Sequence, residues 1–166
     1  MDLDERVTPT EYHGTLSDIL RNISDPTIAE LSFRQQWVLR YERVPEKYVS
    51  GEQVAEMMPT WRYHNTSRIA PRGYSARYLV DPKKVAMVNI HAVELFFTGY
   101  KEHYVEPYEA VVRHYRDIHS DNWKELLLPA VEEFGEFSLT DYPSKYIKTL
   151  RENMKQRLQY VYGKMR

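Results

Sequence analysis

A basic and aromatic segment is the part of the chain whose residue types point most directly to a chemistry. Residues 61–84 carry six Lys and Arg side chains against a single carboxylate, Asp81. Cations and aromatic rings in one stretch are typical of surfaces that contact phosphates and stack on the bases of nucleic acids. The side chains that we predict to make these contacts are Arg62, Arg68, Arg72, Arg77, Lys83, Lys84, Trp61 and Tyr63. The sequence thus predicts a non-enzymatic nucleic-acid-binding protein, without choosing between DNA and RNA.

Charge is divided into zones along a chain whose formal net charge is only −1. The net charge is −5 over residues 1–60, +5 over 61–84, −6 over 101–143 and +6 over 144–166. Zones of opposite sign can mate between copies of a protein or with a charged partner. The alternative function is therefore a protein-interaction or assembly component that oligomerises, for example a viral structural or accessory protein. A plainer interpretation also stays open, in which the arginines of 61–84 pair with the acidic zone at 101–143.

Side-chain sets that support common enzyme chemistries are sparse in this sequence. The chain has no cysteine, which excludes disulfides, thiolate metal sites and cysteine nucleophiles. Its six glycines are scattered, and no phosphate-binding glycine loop occurs. His91 with Glu94 forms an i,i+3 pair, as does His114 with Asp117, but one such pair is a weak metal signal. We predict no catalytic residue, no cofactor and no metal, and we interpret His91 as a hydrogen-bonded core residue.

One acidic run has a familiar spacing. Glu132, Glu133 and Glu136 follow the pattern Glu-Glu-x-x-Glu. The pattern resembles the magnesium-binding helix of all-helical nucleotide pyrophosphohydrolases of the MazG type. That resemblance implies a helical metal-dependent hydrolase, completed by a Glu-x-x-Asp on the following helix. The next predicted helix offers only Glu152 among lysines and arginines, so this hydrolase is a remote third function.

Helix start signals recur along the chain and predict a mainly α fold, a single-domain irregular helical bundle over residues 1–166. Thr15 with Asp18, and Ser50 with Gln53, have the form of helix N-caps. The pairs Asp25-Pro26 and Asp81-Pro82 each place a cap before a proline suited to a first helical turn. Later helices are predicted over about 82–98, 106–118, 120–135 and 144–162.

Two segments carry more specific expectations. Residues 82–98 are apolar on nearly every helical face, which predicts a central buried helix. On that prediction, Leu95→Ala or Phe96→Ala would cost about 2–5 kcal/mol. Residues 33–41 and 75–80 alternate as strands do, so a small two-stranded β element pairing them is included in the prediction.

A helix-turn-helix is a further interpretation of residues 50–69. Its recognition helix would run from Trp61 to Ile69, with residues 75–80 as a wing-like element.

The chain shows no signal that places it at a membrane. Its first eight residues are polar and lack an apolar core of the kind that secretory signals have. The longest apolar run, Val85 to Phe97, is too short to span a bilayer and contains polar residues. We therefore expect a cytoplasmic protein, in the host cell if it is viral, with no membrane contact.

Overall fold

The computed structural model describes residues 4–10, 15–43, 45–119 and 135–163, together with 122, 125, 128, 129, 132 and 133. Strands hold 31% of these described residues and helices 28%. The prediction of a mainly α bundle is therefore wrong. The described part of the chain is mixed α/β, with sheets of five, three and two strands.

The elements alternate irregularly along the chain. The strands are β1 (Glu5–Pro9), β2 (Ile28–Phe33), β3 (Gln35–Arg40), β4 (Asn65–Thr66), β5 (Arg77–Val80), β6 (Val85–Val88), β7 (Val93–Phe96), β8 (Lys101–Tyr104), β9 (Ala110–Asp117) and β10 (Ser138–Leu139). The helices are α1 (Leu16–Asn22), α2 (Gly51–Glu56), α3 (Pro59–Arg62) and α4 (Ser144–Tyr162).

The five-stranded sheet has the order β1-β9-β3-β4-β10, with β9 antiparallel to β1 and parallel to β3. The helix predicted from about residue 106 is wrong, because this stretch contains the eight-residue strand β9. Its sequence, Ala-Val-Val-Arg-His-Tyr-Arg-Asp, is rich in the β-branched and aromatic residues that favour strands. Both faces of β9 are covered by packed side chains over residues 110–115, so its sequence has apolar residues at consecutive positions and imitates a buried helix.

The three-stranded sheet has the order β5-β2-β8. Strand β2 continues through Arg34 into β3, so one extended segment passes from the smaller sheet to the larger one. Residues 75–80 and 33–41 do contain strands, as predicted. The predicted pairing between them is found only at Phe33, which pairs with Arg77, because residues 35–40 form β3, and β3 pairs with β9 and β4.

The predicted buried helix over 82–98 is a two-stranded hairpin of β6 and β7. Asp81 does not cap a helix, because its carboxylate accepts from the Lys83 amide in a tight turn that leads into β6. Leu95 is 54% exposed. The expected cost of about 2–5 kcal/mol for truncating Leu95 is therefore corrected downward, since little of its surface leaves water on folding.

Some helix predictions are confirmed. Thr15 and Asp18 form a reciprocal capping box at α1, and the Ser50 hydroxyl accepts from the Gln53 amide at α2. Helix α4 covers the predicted residues 144–162. None of the helices in the described ranges is both long and apolar enough to cross a lipid bilayer.

Other helix predictions are wrong. The Asp25 carboxylate accepts from the Thr27 amide in a turn that precedes strand β2, so it opens no helix. The recognition helix predicted from Trp61 to Ile69 ends at Arg62, after which the backbone becomes extended and forms β4. The helix predicted over 120–135 lies largely outside the described residues.

Two apolar clusters pack on opposite faces of the five-stranded sheet. On β9, Ala110 and Val112 belong to one cluster and Tyr115 to the other. The first cluster also contains Ile19, Leu31, Phe33 and Val105, and the second contains Val38 and Tyr63. Because side chains alternate across a strand, His114 and Arg116 continue the face that carries Ala110 and Val112. The polar end of this face forms the candidate site.

Candidate active site

Three neighbouring strands place polar side chains in one row on that face. The register pairs His114 of β9 with Glu5 of β1 on one side and with Trp37 of β3 on the other. Directly opposed residues in a sheet point to the same face. Gln35, two residues before Trp37, lies on this face as well. The sheet therefore brings residues far apart in sequence into one surface.

A cleft of about 240 Å³ lies over this row. The sheet provides its floor, and the other walls come from the loop before β5, from Arg77 at the start of β5 and from the turn of the β6–β7 hairpin. The residues that line the cleft are Gln35, Trp37, Tyr74, Ser75, Arg77, His91, His114 and Arg116.

A buried ion pair fixes one side of the cleft. The Glu5 side chain has no exposed surface, and its two carboxylate oxygens accept from Arg77 Nε at 2.6 and 2.8 Å. Arg77 Nη2 lies 2.5 Å from the same carboxylate. A carboxylate and guanidinium in this arrangement cancel each other's charge and hold each other rigidly. The Arg77 Nη1 group is directed toward the backbone carbonyls of Ser75 and Ala76 and toward His91.

His114 is buried between groups of opposite character. Its Nδ1 lies 3.3 Å from Gln35 Oε1, and its Nε2 lies 3.3 Å from the Asp4 carboxylate and 3.4 Å from Arg116 Nη1. Burial lowers the pKa of His114 below its usual value, although the carboxylates of Asp4 and Glu5 oppose this shift. We therefore treat the ring as neutral near pH 7, with Nδ1–H donating to Gln35.

A strained loop forms the rim of the cleft. Ser75 has φ +46°, in a region that residues other than glycine seldom adopt. Its carbonyl oxygen accepts from Gln35 Nε2 at 2.5 Å and from Arg77 Nη1 at 3.1 Å. These hydrogen bonds hold the strained conformation, which places Tyr74 edge-on to Trp37 with ring centroids 5.9 Å apart.

Hydrogen-bond donors dominate the polar lining. The side-chain acceptors Glu5 and Gln35 are already engaged by Arg77 and by His114. Arg116 retains N–H groups beyond the one that faces His114, and no carboxylate among the described residues lies within ion-pair distance of it. A cleft with donors facing inward and acceptors already used is suited to an anionic ligand.

Comparison with known families decides the class of protein. The sequence profile described as "Glycosyltransferase family 92" matches residues 1–150. The chain belongs to glycosyltransferase family 92. No curated protein matches the chain. Enzymes of this family transfer sugars, so the predictions of a non-enzymatic nucleic-acid-binding protein and of a viral assembly component are wrong. The remote hydrolase interpretation is wrong for the same reason.

The residues first predicted to bind phosphates do not form one surface in this glycosyltransferase. Arg62 pairs with Glu42, and Arg72 pairs with Glu106. Lys84 donates to the Ile28 carbonyl. Arginines of residues 61–84 therefore pair with carboxylates of the same protein, but not only with those of the acidic zone at 101–143, because Glu42 lies outside it.

The remaining predicted residues are equally dispersed. Arg68 lies against Gly135, Lys83 is exposed in the turn before β6, and Tyr63 is buried in the core. Trp61 is 43% exposed and lies under the Arg151 guanidinium, 4.5 Å from it. Only Arg77 among the predicted binding residues reaches the cleft of the glycosyltransferase.

Sequence reasoning missed most of the cleft. The predictions place His91 in a buried helix and consider His114 only in pairs at helical spacing. The alternation of His114 and Arg116 along a strand would have placed both on one face, but this signal requires that the strand be recognised first. Glu5 and Gln35 carry no sequence signal, because only the register of the sheet brings them to His114. Among the described residues, no three His, Asp, Glu or Cys side chains converge closely enough to hold a metal ion.

Proposed function

We propose that the cleft between β3, β9 and the β6–β7 hairpin binds the phosphate-bearing leaving group of an activated sugar donor. The observation that carries this proposal is the inward-facing set of hydrogen-bond donors around Arg116. A neutral sugar offers hydroxyl groups, each of which needs acceptors as well as donors to be satisfied. A phosphate offers only acceptor oxygens and negative charge, which match what the cleft presents.

The chemistry of sugar transfer gives these donors a role. The bond between the anomeric carbon and the leaving-group oxygen breaks, and its electron pair stays on that oxygen. The acceptor hydroxyl oxygen forms the new bond to the anomeric carbon, and its proton passes to the departing phosphate or to solvent. Negative charge therefore grows on the phosphate as the bond breaks, and donors fixed in advance stabilise that charge more than they stabilise the ground state. Glu5 neutralises the charge of Arg77. The positive charge that faces the phosphate therefore comes from Arg116.

The aromatic side chains that line the cleft suit the sugar of the activated donor. Trp37 is 7% exposed and Tyr74 37% exposed, and their rings meet edge-on in the cleft that Arg116 also lines. Pockets for organic ligands combine such apolar walls with a few oriented polar groups. The apolar face of a sugar ring would pack here while its phosphate contacts Arg116.

Calorimetric titration with pyrophosphate tests the proposal on the whole chain. We expect wild-type protein to bind pyrophosphate and Arg116→Ala to bind it roughly 10- to 100-fold more weakly, as for one lost charged hydrogen-bond partner. Arg72→Ala is the matched control, because Arg72 does not line the cleft and pairs with Glu106. Equal affinities of the two variants, or no binding by the wild type, would overturn the proposal.

A further inference from the structure

His91 lies at the turn between β6 and β7 and is in contact with Arg77. Its Nδ1 is 2.6 Å from Arg77 Nη1. A guanidinium has hydrogen-bond donors and no acceptor, so the imidazole nitrogen that faces it must carry the lone pair. Nδ1 is therefore the acceptor of this hydrogen bond.

The same nitrogen has a second, longer contact, and comparing the two distances supports this assignment. Nδ1 also lies 3.3 Å from the Ala76 carbonyl oxygen, to which it could donate only if it carried a proton. With that proton, two N–H groups would face each other across 2.6 Å, which is repulsive. The shorter contact decides the tautomer, and the imidazole proton lies on Nε2.

The position of Arg77 is in turn imposed by its surroundings. Glu5, fully buried, holds the Nε and Nη2 edge, and the Ser75 and Ala76 carbonyls lie 3.1 and 3.3 Å from Nη1. Arg77 therefore cannot turn away from His91 without breaking a buried ion pair. The order of dependence runs from Glu5 through Arg77 to the imidazole.

We propose that His91 donates its Nε2–H to the anionic group held in the cleft, and that Glu5 and Arg77 are positioning residues that fix the tautomer required for this. The inference rests on the proposed function, because it assigns a second donor beside Arg116 to the same phosphate. It also excludes one role for His91. An imidazole in this tautomer has no lone pair on Nε2 and does not act there as the base that takes the acceptor proton.

The β6–β7 hairpin that carries His91 has little apolar packing, so specific contacts are needed to hold its turn in place. Met87, Ile90 and Leu95 are at least half exposed, so the hairpin gains little from apolar packing on its outer side. Its turn is tied to the body by the hydrogen bond from the Tyr78 hydroxyl to the Asn89 carbonyl and by the contact between His91 and Arg77. The contact to Arg77 thus determines both the orientation of the ring and its protonated nitrogen.

Nitrogen-15 NMR of the imidazole tests the tautomer without any ligand. We expect the spectrum of wild-type protein, recorded above the pH range in which imidazoles ordinarily titrate, to show His91 with Nε2 protonated and Nδ1 accepting a hydrogen bond. In the double variant Glu5→Gln/Arg77→Met, which removes both charges together, the Nδ1 resonance should move to the position of an unbonded nitrogen. A protonated Nδ1 in the wild type, or an unmoved resonance in the variant, would overturn the inference.

Two substitutions at position 91 test the donor itself. The glutamine amide reaches about as far as imidazole Nε2, whereas the shorter asparagine amide reaches about as far as Nδ1. In pyrophosphate titrations we expect His91→Gln to stay within about threefold of the wild type and His91→Asn to bind roughly 10- to 100-fold more weakly. Equal affinities of the two variants would overturn the inference. A normal affinity of Arg116→Ala would instead overturn the proposed function, and the ligand-free spectrum would be unaffected.

Discussion

Both oxygens of the buried Glu5 carboxylate accept from the single Nε–H of Arg77, on a strand 72 positions away in the sequence. The register partner of Glu5 on β9 is His114. One carboxylate thus ties the edge of the five-stranded sheet to β5, an edge strand of the three-stranded sheet. The same contact holds Arg77, whose Nη1 faces His91 in the cleft. The stability of this junction and the position of His91 therefore both depend on this ion pair.

Glu5→Gln should destabilise the protein by about 3–5 kcal/mol, because it leaves the Arg77 charge buried without a counter-charge. Urea unfolding at neutral pH measures this cost. Glu5→Gln combined with Arg77→Met should recover much of the lost stability, since no buried charge remains. Glu106→Gln is the control at a partly exposed ion pair and should change stability little. If Glu5→Gln behaved like this control, the pair would be solvated in solution.

Glu30 should make stability depend on pH in an unusual direction. It is 2% exposed and its register partner on β8 is Glu102. Burial, with a smaller contribution from the Glu102 charge, raises the pKa of Glu30 from 4.5 to about 7. The native protein then binds more protons than the unfolded chain between these pH values, so this group's contribution to stability is lost as pH rises from about 4.5 to 7.

Glu30→Gln keeps a neutral side chain at every pH and should therefore remove that loss. We expect the variant to gain about 2–3 kcal/mol over the wild type on going from pH 5 to pH 8 in urea unfolding. Ser32→Ala, at a buried position of β2 without an ionisable group, is the control and should show no such gain. A difference between Glu30→Gln and the wild type that is the same at both pH values would contradict the raised pKa.

Truncating the core should cost far more than truncating the hairpin. Phe33 is 1% exposed and packs in the cluster with Leu31 and Val112, so Phe33→Ala should cost about 3–5 kcal/mol. Leu95→Ala, at a position 54% exposed, should cost less than about 1 kcal/mol. Both values are measured by the same denaturant titration. A cost at Leu95 comparable with that at Phe33 would show that the outer side of the hairpin is covered in solution.

Ser75 should tolerate glycine better than any branched residue. Glycine adopts a φ of +46° at no steric cost, so Ser75→Gly should leave stability unchanged or raise it slightly. Ser75→Val should lower stability by about 1–3 kcal/mol, because a β-branched side chain disfavours this conformation. Thermal melting and urea titration both report the difference. Equal stabilities of the two variants would show that the loop relaxes to another conformation.

Local signals were sufficient where a residue and its partner are close in sequence. Thr15 with Asp18, and Ser50 with Gln53, satisfy backbone groups at helix N-termini from three residues away. Helix α4 carries an apolar stripe that repeats with the helical period along the segment. The alternation in residues 33–41 and 75–80 likewise indicated strands. These elements were predictable because their stabilising contacts are within the segment or follow its period.

The sequence by itself determined the helix caps, the last helix, the two alternating segments and the exclusion of cysteine chemistry. Tertiary structure alone decided that β9 and the β6–β7 hairpin are strands, because a consecutive apolar run suits either a buried helix or a central strand until its neighbours are known. It also decided the site. Glu5, Gln35, Arg77, His91 and His114 come from separate segments, and they meet because backbone hydrogen bonds between distant strands fix which residues stand opposite each other. Strand pairing is nonlocal, so no spacing within one segment records it.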